Sequence, residues 1–106
     1  MFDQANDFLL KLEGVTLQSH FEKISYRIGS SIVATFDENS FQFCVKLSLE
    51  EQESYSILFP DSVKPVPNKW GAFGWTLVDC EVISIEDIKE ILSSAYREVS
   101  NKKMKR

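Results

Sequence analysis

The spacing of hydrophobic positions along the chain predicts where helices and strands lie. Near the N-terminus, the i, i+3, i+4 spacing of an amphipathic helix places apolar residues at positions 2, 5, 8, 9 and 12. Gly14 is a suitable end for that helix, and residues 15–20 are predicted to be a connector. The spacing then falls to two, which predicts half-buried strands over 21–28, 31–37 and 41–47. Short polar turns join these strands, so we expect an antiparallel meander.

The spacing returns to that of a helix in two later segments. Ser48 followed by Glu51 fits a capping box, so a helix is predicted from about Leu49 to Leu58, where a proline soon ends it. A longer apolar stripe with a second cap signal predicts a final helix over residues 84–100. The part of the chain not yet assigned lies between these two predicted helices.

The stretch from Val63 to Glu81 lies between them and contains two of the three prolines, two of the four glycines and both tryptophans. The two prolines fix φ and remove backbone donors, so residues 63–67 are predicted to be extended, at most as the edge of a sheet. The glycines permit positive φ in the turn that follows. Residues 75–82 are apolar enough to form another strand.

The predicted order is therefore α-β-β-β-α-β-β-α, which favours an α+β fold: a two-layer sandwich with an antiparallel sheet and helices packed on one face. Alternation in the meander assigns one face of the sheet to the core, with Ile24, Tyr26, Ile28, Ile32, Ala34, Phe36, Phe41, Phe43, Val45 and Leu47. The other face is predicted to be open to solvent, with Lys23, Ser25, Arg27, Thr35, Gln42, Cys44 and Lys46.

Length and composition indicate one ordinary globular domain over residues 1–106. The content of 43% hydrophobic and 26% charged residues is typical of such a domain, and eight phenylalanines supply bulk for a core. No apolar run approaches the ~20 residues of a membrane span, and no basic segment precedes an apolar one at the N-terminus. The two cysteines, Cys44 and Cys80, are expected to be reduced thiols of a cytoplasmic protein.

The charge is distributed unevenly. The net charge is −4, yet residues 97–106 carry five basic side chains against one acidic side chain, so the body of the protein is acidic. An acidic body does not favour nucleic acid, because neutralising phosphates requires clustered lysine and arginine. The basic tail, about residues 101–106, either supplies a local contact or is a solvated and frayed helix end, and charged tails commonly favour the second interpretation.

The residues that usually carry catalysis or bind metal do not form a recognisable motif. His20 is the only histidine, and the two cysteines lie 36 positions apart, so a zinc site would need acidic ligands that no spacing suggests. Glu50, Glu51 and Glu53 are interpreted as a solvated helix face. The chain contains no phosphate-binding glycine loop and no nucleophile elbow. We therefore expect no enzyme activity, no cofactor, no metal and no small-molecule substrate.

Several segments, in order and spacing, resemble the MmcQ/YjbR family of small bacterial proteins. The resemblance covers about four fifths of the chain, from Phe21 to Arg106, and no single motif in it is catalytic. The matching segments are Tyr26-Arg27-Ile28-Gly29, Ile32-Val33-Ala34-Thr35-Phe36, Val45-Lys46-Leu47-Ser48, Val63-Lys64-Pro65-Val66-Pro67, Trp70-Gly71, Gly74-Trp75-Thr76-Leu77-Val78, Ala95-Tyr96-Arg97 and Asn101-Lys102-Lys103.

This resemblance implies a fold related to secretion chaperones and to the frataxin-like (CyaY-like) sandwich, together with a DNA-binding role through a double-wing arrangement. The chain departs from the family pattern at its first hairpin. Family members usually carry lysine after the hairpin glycine, whereas this chain has Gly29-Ser30-Ser31. Losing an exposed cation there weakens the DNA-binding interpretation for this protein.

A DNA interface is hypothesised on the open sheet face, the loop over residues 60–74 and the basic tail. Its candidate residues are Lys23, Arg27, Lys46, Lys64, Lys69, Trp70, Lys102 and Lys103. The competing interpretation is that these cations merely solvate strands and loops. Trp70 and Phe73 would stack on unpaired bases if exposed, but burial of large aromatic side chains is more common, and Trp75 is predicted to lie in the core.

A second class of function stays open. The chaperone-like fold and acidic body are also typical of a protein-interaction module, in which an apolar patch near Trp70 or a sheet edge contacts a protein partner or a second copy. DNA binding predicts an affinity that falls steeply with salt, whereas an apolar protein interface does not. Exposure of Trp70 and Phe73, with the charge around them, is the feature that helps to separate the two.

Overall fold

The structure, a computed structural model, describes residues 2–20 and 23–104. Phe21, the start of the predicted first strand, lies outside the described residues, as do Lys105, Arg106 and the side chains of His20 and Lys103. In chain order the elements are α1 (Phe2–Lys11), β1 (Val15–His20), β2 (Lys23–Ile28), β3 (Ser31–Asp37), β4 (Gln42–Lys46), α2 (Leu49–Leu58), β5 (Val63–Pro65), a 3₁₀ turn (Gly71–Phe73), β6 (Trp75–Asp79) and α3 (Ile85–Met104).

The six described strands form one antiparallel sheet in the order β1-β2-β3-β4-β6-β5. All three helices pack on the same face. The Tyr26 hydroxyl donates to Asn6 Oδ1 of α1 at 2.7 Å, and Gln52 of α2 donates to the Thr76 hydroxyl at 3.0 Å. The strand register places Tyr26 and Thr76 on one face, and α3 packs against α1, β3 and β4 on that side. The predicted two-layer α+β sandwich is confirmed.

One strand was missed by the sequence pattern. Residues 15–20, predicted to be a connector, form β1, which pairs along its whole length with β2. The pattern was weak because β1 lies at the sheet edge and its described side chains are largely exposed. Only Val15 and Leu17 on it are apolar, which is too few to show alternation.

A β-bulge changes which side chains of β3 enter the core. Tyr26 pairs with Ala34 but Arg27 pairs with Ile32, so Val33 is an extra residue on β3. Val33 and Ala34 are both fully buried, whereas Ile32 lies beside Arg27 and is half-buried. The prediction that Ile32 faces the core was therefore wrong, because simple alternation cannot show where a strand gains a residue.

The core lies between the sheet and the helices and is rich in aromatic rings. Phe36 stacks on Phe2 of α1 with ring centroids 4.4 Å apart, and it contacts Phe43 at 4.8 Å. Phe41, predicted to begin a strand, instead lies in the preceding turn with φ of 56° and packs edge-on against Phe36 at 5.6 Å. The strand face predicted to be buried is otherwise confirmed by Tyr26, Ala34, Phe36, Phe43, Val45 and Leu47, each at most 2% exposed.

The helix boundaries follow the cap signals. α2 occupies the predicted residues, and its third N–H, that of Glu51, donates to Ser48 Oγ at 3.1 Å. Asp87 N donates to Ser84 Oγ at 3.2 Å in the same way, but α3 continues to Met104, beyond the predicted end at 100. Residues 101–104, predicted to be a frayed tail, are thus helical. The predicted edge segment is confirmed as β5, and β6 ends at Asp79 rather than at 82.

Candidate nucleic-acid interface

A tight turn between β5 and β6 presents the exposed aromatic side chains, and we call residues 68–74 the aromatic turn. It begins with Asn68, whose side-chain oxygen accepts from Trp70 N at 2.9 Å and whose carbonyl accepts from Gly71 N at 3.0 Å. It ends at Gly74, which has φ of 104° and donates to Gly71 O at 3.1 Å. Any Cβ at Gly71 would collide with the carbonyl of Val66, so the turn lies directly against the chain leaving β5.

A buried glutamine of α2 fixes this turn from below. Gln52 is 8% exposed, and its Nε2 lies 3.0 Å from Gly71 O, 3.2 Å from Trp75 O and 3.0 Å from Thr76 Oγ1. The Thr76 hydroxyl in turn donates to Gly74 O at 2.9 Å. Both ends of the turn are therefore tied to α2 and β6 through buried hydrogen bonds, which holds its backbone in one conformation.

The two aromatic side chains of the turn point into solvent. Trp70 is 51% exposed and Phe73 is 58% exposed, and their ring centroids lie 6.0 Å apart in an edge-to-face arrangement. The Lys69 ammonium lies 5.6 Å from the centroid of the Trp70 ring, a cation–π contact. The interpretation of Trp70 and Phe73 as core residues was wrong. Trp75 is only half-buried and lies outside the buried cluster, so its assignment to the core was also wrong.

A groove of about 390 Å³ runs from Phe73 past the start of α2 to the end of α3. Its apolar wall includes Ala72, Phe73 and the exposed Leu49, and its polar wall contains Lys46, Glu98 and Lys102. The Lys102 ammonium lies 2.9 Å from Glu98 Oε2, and that of Lys46 lies 4.0 Å from the same oxygen. Burial lowers the pKa of Lys46, and Lys102 adds to this, while Glu98 opposes it. One carboxylate is thus shared by two cations beside the aromatic turn.

The cations predicted on the sheet do not form a continuous basic track. Lys23 lies opposite Asp37 on the neighbouring strand, and Asp79 lies on the same row beyond Gln42. The Arg27 guanidinium donates through Nε to Ser25 Oγ at 3.1 Å. This row of the open face therefore carries one lysine and two carboxylates, and its charge is mixed.

The remaining candidate residues divide between two places. Lys64 is exposed on β5 and shares the open face with Leu77, its partner on β6. Lys102 belongs to the groove, and Lys103 follows it on α3 with a side chain outside the described part. The structure thus brings Lys46, Lys69, Trp70 and Lys102 together at one end of the sheet. Lys23 lies at the far end of β2, whereas Arg27 pairs with Ile32, which lines a second pocket with Lys46 and Lys102.

The thiols and other potential metal ligands are dispersed. Burial raises the pKa of the Cys80 thiol to about 11, and burial also raises the pKa of the Cys44 thiol. Within residues 2–20 and 23–104, no group of three or more His, Cys, Asp or Glu side chains is positioned to hold a metal ion. No helix in the same ranges combines the length and apolarity needed to cross a bilayer.

Three residues of this region were not identified from the sequence. Gln52 lies on the buried side of α2, and its polarity at a core-facing helical position is the signal that could have found it. Glu98 and Leu49 gave no such signal, because charged residues near a helix end and apolar residues in a first turn are both common. Only the packing of α3 against the β4–α2 connection places them in the groove.

Comparison with known proteins supports the fold and goes no further. No family model matches the chain, and no curated protein sequence does either. Among solved structures, the chain is similar to the crystal structure of Deinococcus radiodurans protein DR2400, which contains the family-model domain DUF419. The TM-score is 0.81 at 20% sequence identity, and the match covers 100% of this chain and 83% of that protein. At this identity the similarity shows a shared fold.

Proposed function

We propose that this protein is a non-catalytic, DNA-binding protein of the MmcQ/YjbR type, and that the aromatic turn contacts unpaired bases. The observation that supports this most directly is the exposure of Trp70 and Phe73, at 51% and 58%, on a backbone fixed by Gln52. Two large rings that no element of the described residues covers resemble the stacking platforms of single-strand binding proteins. The residues that carry the family resemblance include Trp70-Gly71 and Gly74-Trp75 of this region.

Stacking provides the part of the proposed affinity that does not depend on the base sequence of the DNA. A base stacked on an aromatic side chain contributes ~1–3 kcal/mol, and every base has a face that can stack. Trp70 and Phe73 meet edge to face, so their exposed surfaces point in different directions and would take different bases. The Lys69 ammonium lies over the Trp70 ring, and a base that displaced it from the ring would bring its phosphate near this lysine.

The phosphate contacts would come from one end of the molecule. Lys69, Lys46 and Lys102 surround the aromatic turn and its groove, and Lys64 lies on the neighbouring edge strand. With about three phosphates neutralised on a single strand, log K falls against log salt with a slope of about −2. A fourfold rise in salt would then weaken binding roughly 20-fold. A second phosphate contact at Lys23 on the sheet would be weaker, because a carboxylate lies opposite that lysine on the neighbouring strand.

Fluorescence anisotropy with labelled single- and double-stranded oligonucleotides, over a salt series, tests the proposal. We expect saturable binding that favours the single strand and fades with salt. Trp70→Ala and Phe73→Ala should each weaken it about tenfold, since each removes one stacking surface. Val82→Ala is the matched control, because Val82 is 73% exposed, apolar and outside this region. No binding at low salt, or equal loss in the control, would refute the proposal.

The groove also favours a second candidate, a protein-interaction module. Leu49 is 56% exposed and lies in the groove with Phe73 and Ala72, which makes an apolar wall suited to a peptide side chain. Binding of this kind depends on burying apolar surface and changes little with salt. Leu49→Ser therefore separates the two functions. It should leave the affinity for oligonucleotides nearly unchanged, whereas it should lower the affinity for a peptide that binds in the groove.

A further inference from the structure

β1 is an edge strand that lacks the features by which proteins usually prevent edge pairing. It pairs with β2 on one side, and no strand lies on its other side in the described sheet. Of the six described strands, β1 alone contains neither a charged residue nor a proline, taking His20 as neutral. An uncharged, fully paired edge of six residues offers its outward N–H and C=O groups to another strand.

The opposite edge of the same sheet is protected. β5 has only three residues and contains Lys64 and Pro65, and α2 packs beside it. Proline, lysine and short length are the common means of blocking a sheet edge. The contrast means that the lack of protection on β1 is particular to that edge.

β1 is also held firmly in position for pairing. It follows Gly14, which adopts φ of 85°, and Val15 N donates to Leu12 O at 3.2 Å. The Tyr96 hydroxyl of α3 donates to Glu13 O at 2.7 Å, which fixes the turn that leads into the strand. A partner strand would therefore meet an edge that is already ordered, so little conformational entropy is lost on that side.

We propose that two copies of this chain associate by antiparallel pairing of their β1 strands, which joins their sheets into one. A two-fold axis perpendicular to the sheet relates such strands and keeps both helical layers on the same side. Directly opposed residues must then share a face, so the register is centred on a residue. The register centred on Leu17 sets Leu17 against Leu17 of the second copy, Thr16 against Gln18, and Val15 against Ser19.

Side-chain exposure supports that register. Leu17 pairs with the fully buried Tyr26 on β2, which places it on the core side of the sheet, yet it is 38% exposed. Opposed side chains on neighbouring strands lie ~5 Å apart, so the two leucines would cover each other and extend the apolar row beyond Tyr26. Leu10 of α1 is 40% exposed, and α1 packs against β1, so this end of the molecule exposes further apolar surface.

The absence of charge on β1 favours a second copy as the occupant. In a symmetric pair, a charge at or near the centre of the register meets the same charge on the other copy, which is destabilising. A strand that pairs with itself must therefore be uncharged near its centre, as β1 is. Each copy carries a net charge of −4, so added salt should strengthen the dimer, which is opposite to its effect on DNA binding.

Sedimentation of the full chain over a concentration series, at low and moderate salt, tests this proposal. We expect a monomer–dimer equilibrium that shifts toward dimer with salt. Leu17→Lys and Leu17→Glu should each abolish the dimer, because each sets like charges opposite one another. An equimolar mixture of these two variants should recover a heterodimer, since unlike charges then oppose. Val82→Lys is the control for a charge added at an exposed apolar position elsewhere.

Each outcome bears on the proposal. A recovered heterodimer supports both the strand and its register, and it also shows that the single variants were folded. A wild-type monomer at every concentration overturns the proposal and leaves the edge for a strand of a different protein. A wild-type dimer that persists in Leu17→Lys also overturns it, because another surface must then hold the copies together.

Discussion

Replacing Gln52 by methionine tests whether the buried amide supports the aromatic turn. The side chains are similar in volume, so the substitution removes the donors of Nε2 without opening a cavity. Nε2 has two hydrogens for three acceptors, Gly71 O, Trp75 O and Thr76 Oγ1, at 3.0–3.2 Å. About two hydrogen bonds are therefore lost.

The expected cost follows from what each acceptor retains. Gly71 O still accepts from Gly74 N at 3.1 Å, and Trp75 O still accepts from Val66 N at 3.0 Å, so neither carbonyl becomes wholly unsatisfied. The loss is then close to the net value of two buried hydrogen bonds, about 2 kcal/mol. For a chain of this length, that lowers Tm by roughly 8 °C.

Urea denaturation followed by circular dichroism measures the change. The midpoint should fall while the slope of the free energy of unfolding against urea stays constant, since the fold is retained. Gln4→Met is the matched control, because Gln4 is an exposed glutamine of α1, and its substitution should change the free energy of unfolding by less than ~0.5 kcal/mol. If Gln52→Met is as stable as the wild type, the amide does not hold the turn and the argument for a rigid platform is wrong.

Three further predictions concern the backbone, the pH dependence and the groove. Gly74→Ala should destabilise the protein by at least ~2 kcal/mol more than Gly14→Ala in urea denaturation: both have positive φ, but only at Gly74 does a Cβ collide with backbone. Burial raises the pKa of Tyr26 to about 12 and that of Cys80 to about 11, so the folded state holds these protons more tightly than the unfolded chain. The contribution of these protons to the free energy of unfolding is complete below pH 9.0 and is lost as the pH rises to about 12, by up to ~1.4 kcal/mol per pH unit for each group. Tyr26→Phe should make the fall of the free energy of unfolding with pH less steep above pH 10.0. Glu98→Gln should tighten oligonucleotide binding and steepen its salt dependence, because it frees two lysines from one carboxylate; an unchanged affinity would place the phosphates elsewhere.

Most of the fold could be predicted from the sequence because the signals were local. The cap at Ser48 and the apolar stripe of the last helix each depend on neighbours within a few residues, and both helices begin where these signals indicated. The edge position of β5 followed from its proline chemistry. β1 was missed since its pairing with β2 supplies the structure that its own composition does not indicate, and the bulge at Val33 depends on two strands together.

The candidate site was less predictable because it depends on which distant segments meet. Trp70 was expected in the core on general grounds, but the aromatic turn follows a short edge strand and has no element above it among the described residues. Lys46 was assigned correctly to a strand, yet its ammonium turns out to lie beside Glu98, 52 positions later in the chain. No local pattern relates two such residues.

The way the aromatic turn is fastened has a consequence for how sequences with this fold can diverge. Its attachments are backbone carbonyls, two glycines and a glutamine beneath it, while the side chains of Trp70 and Phe73 contribute nothing to the buried core. Substitutions at those two positions are therefore nearly free of any folding penalty. A sequence that keeps those contacts can exchange the two outward residues at little cost to the fold, so the surface that the turn presents can change while its backbone stays the same.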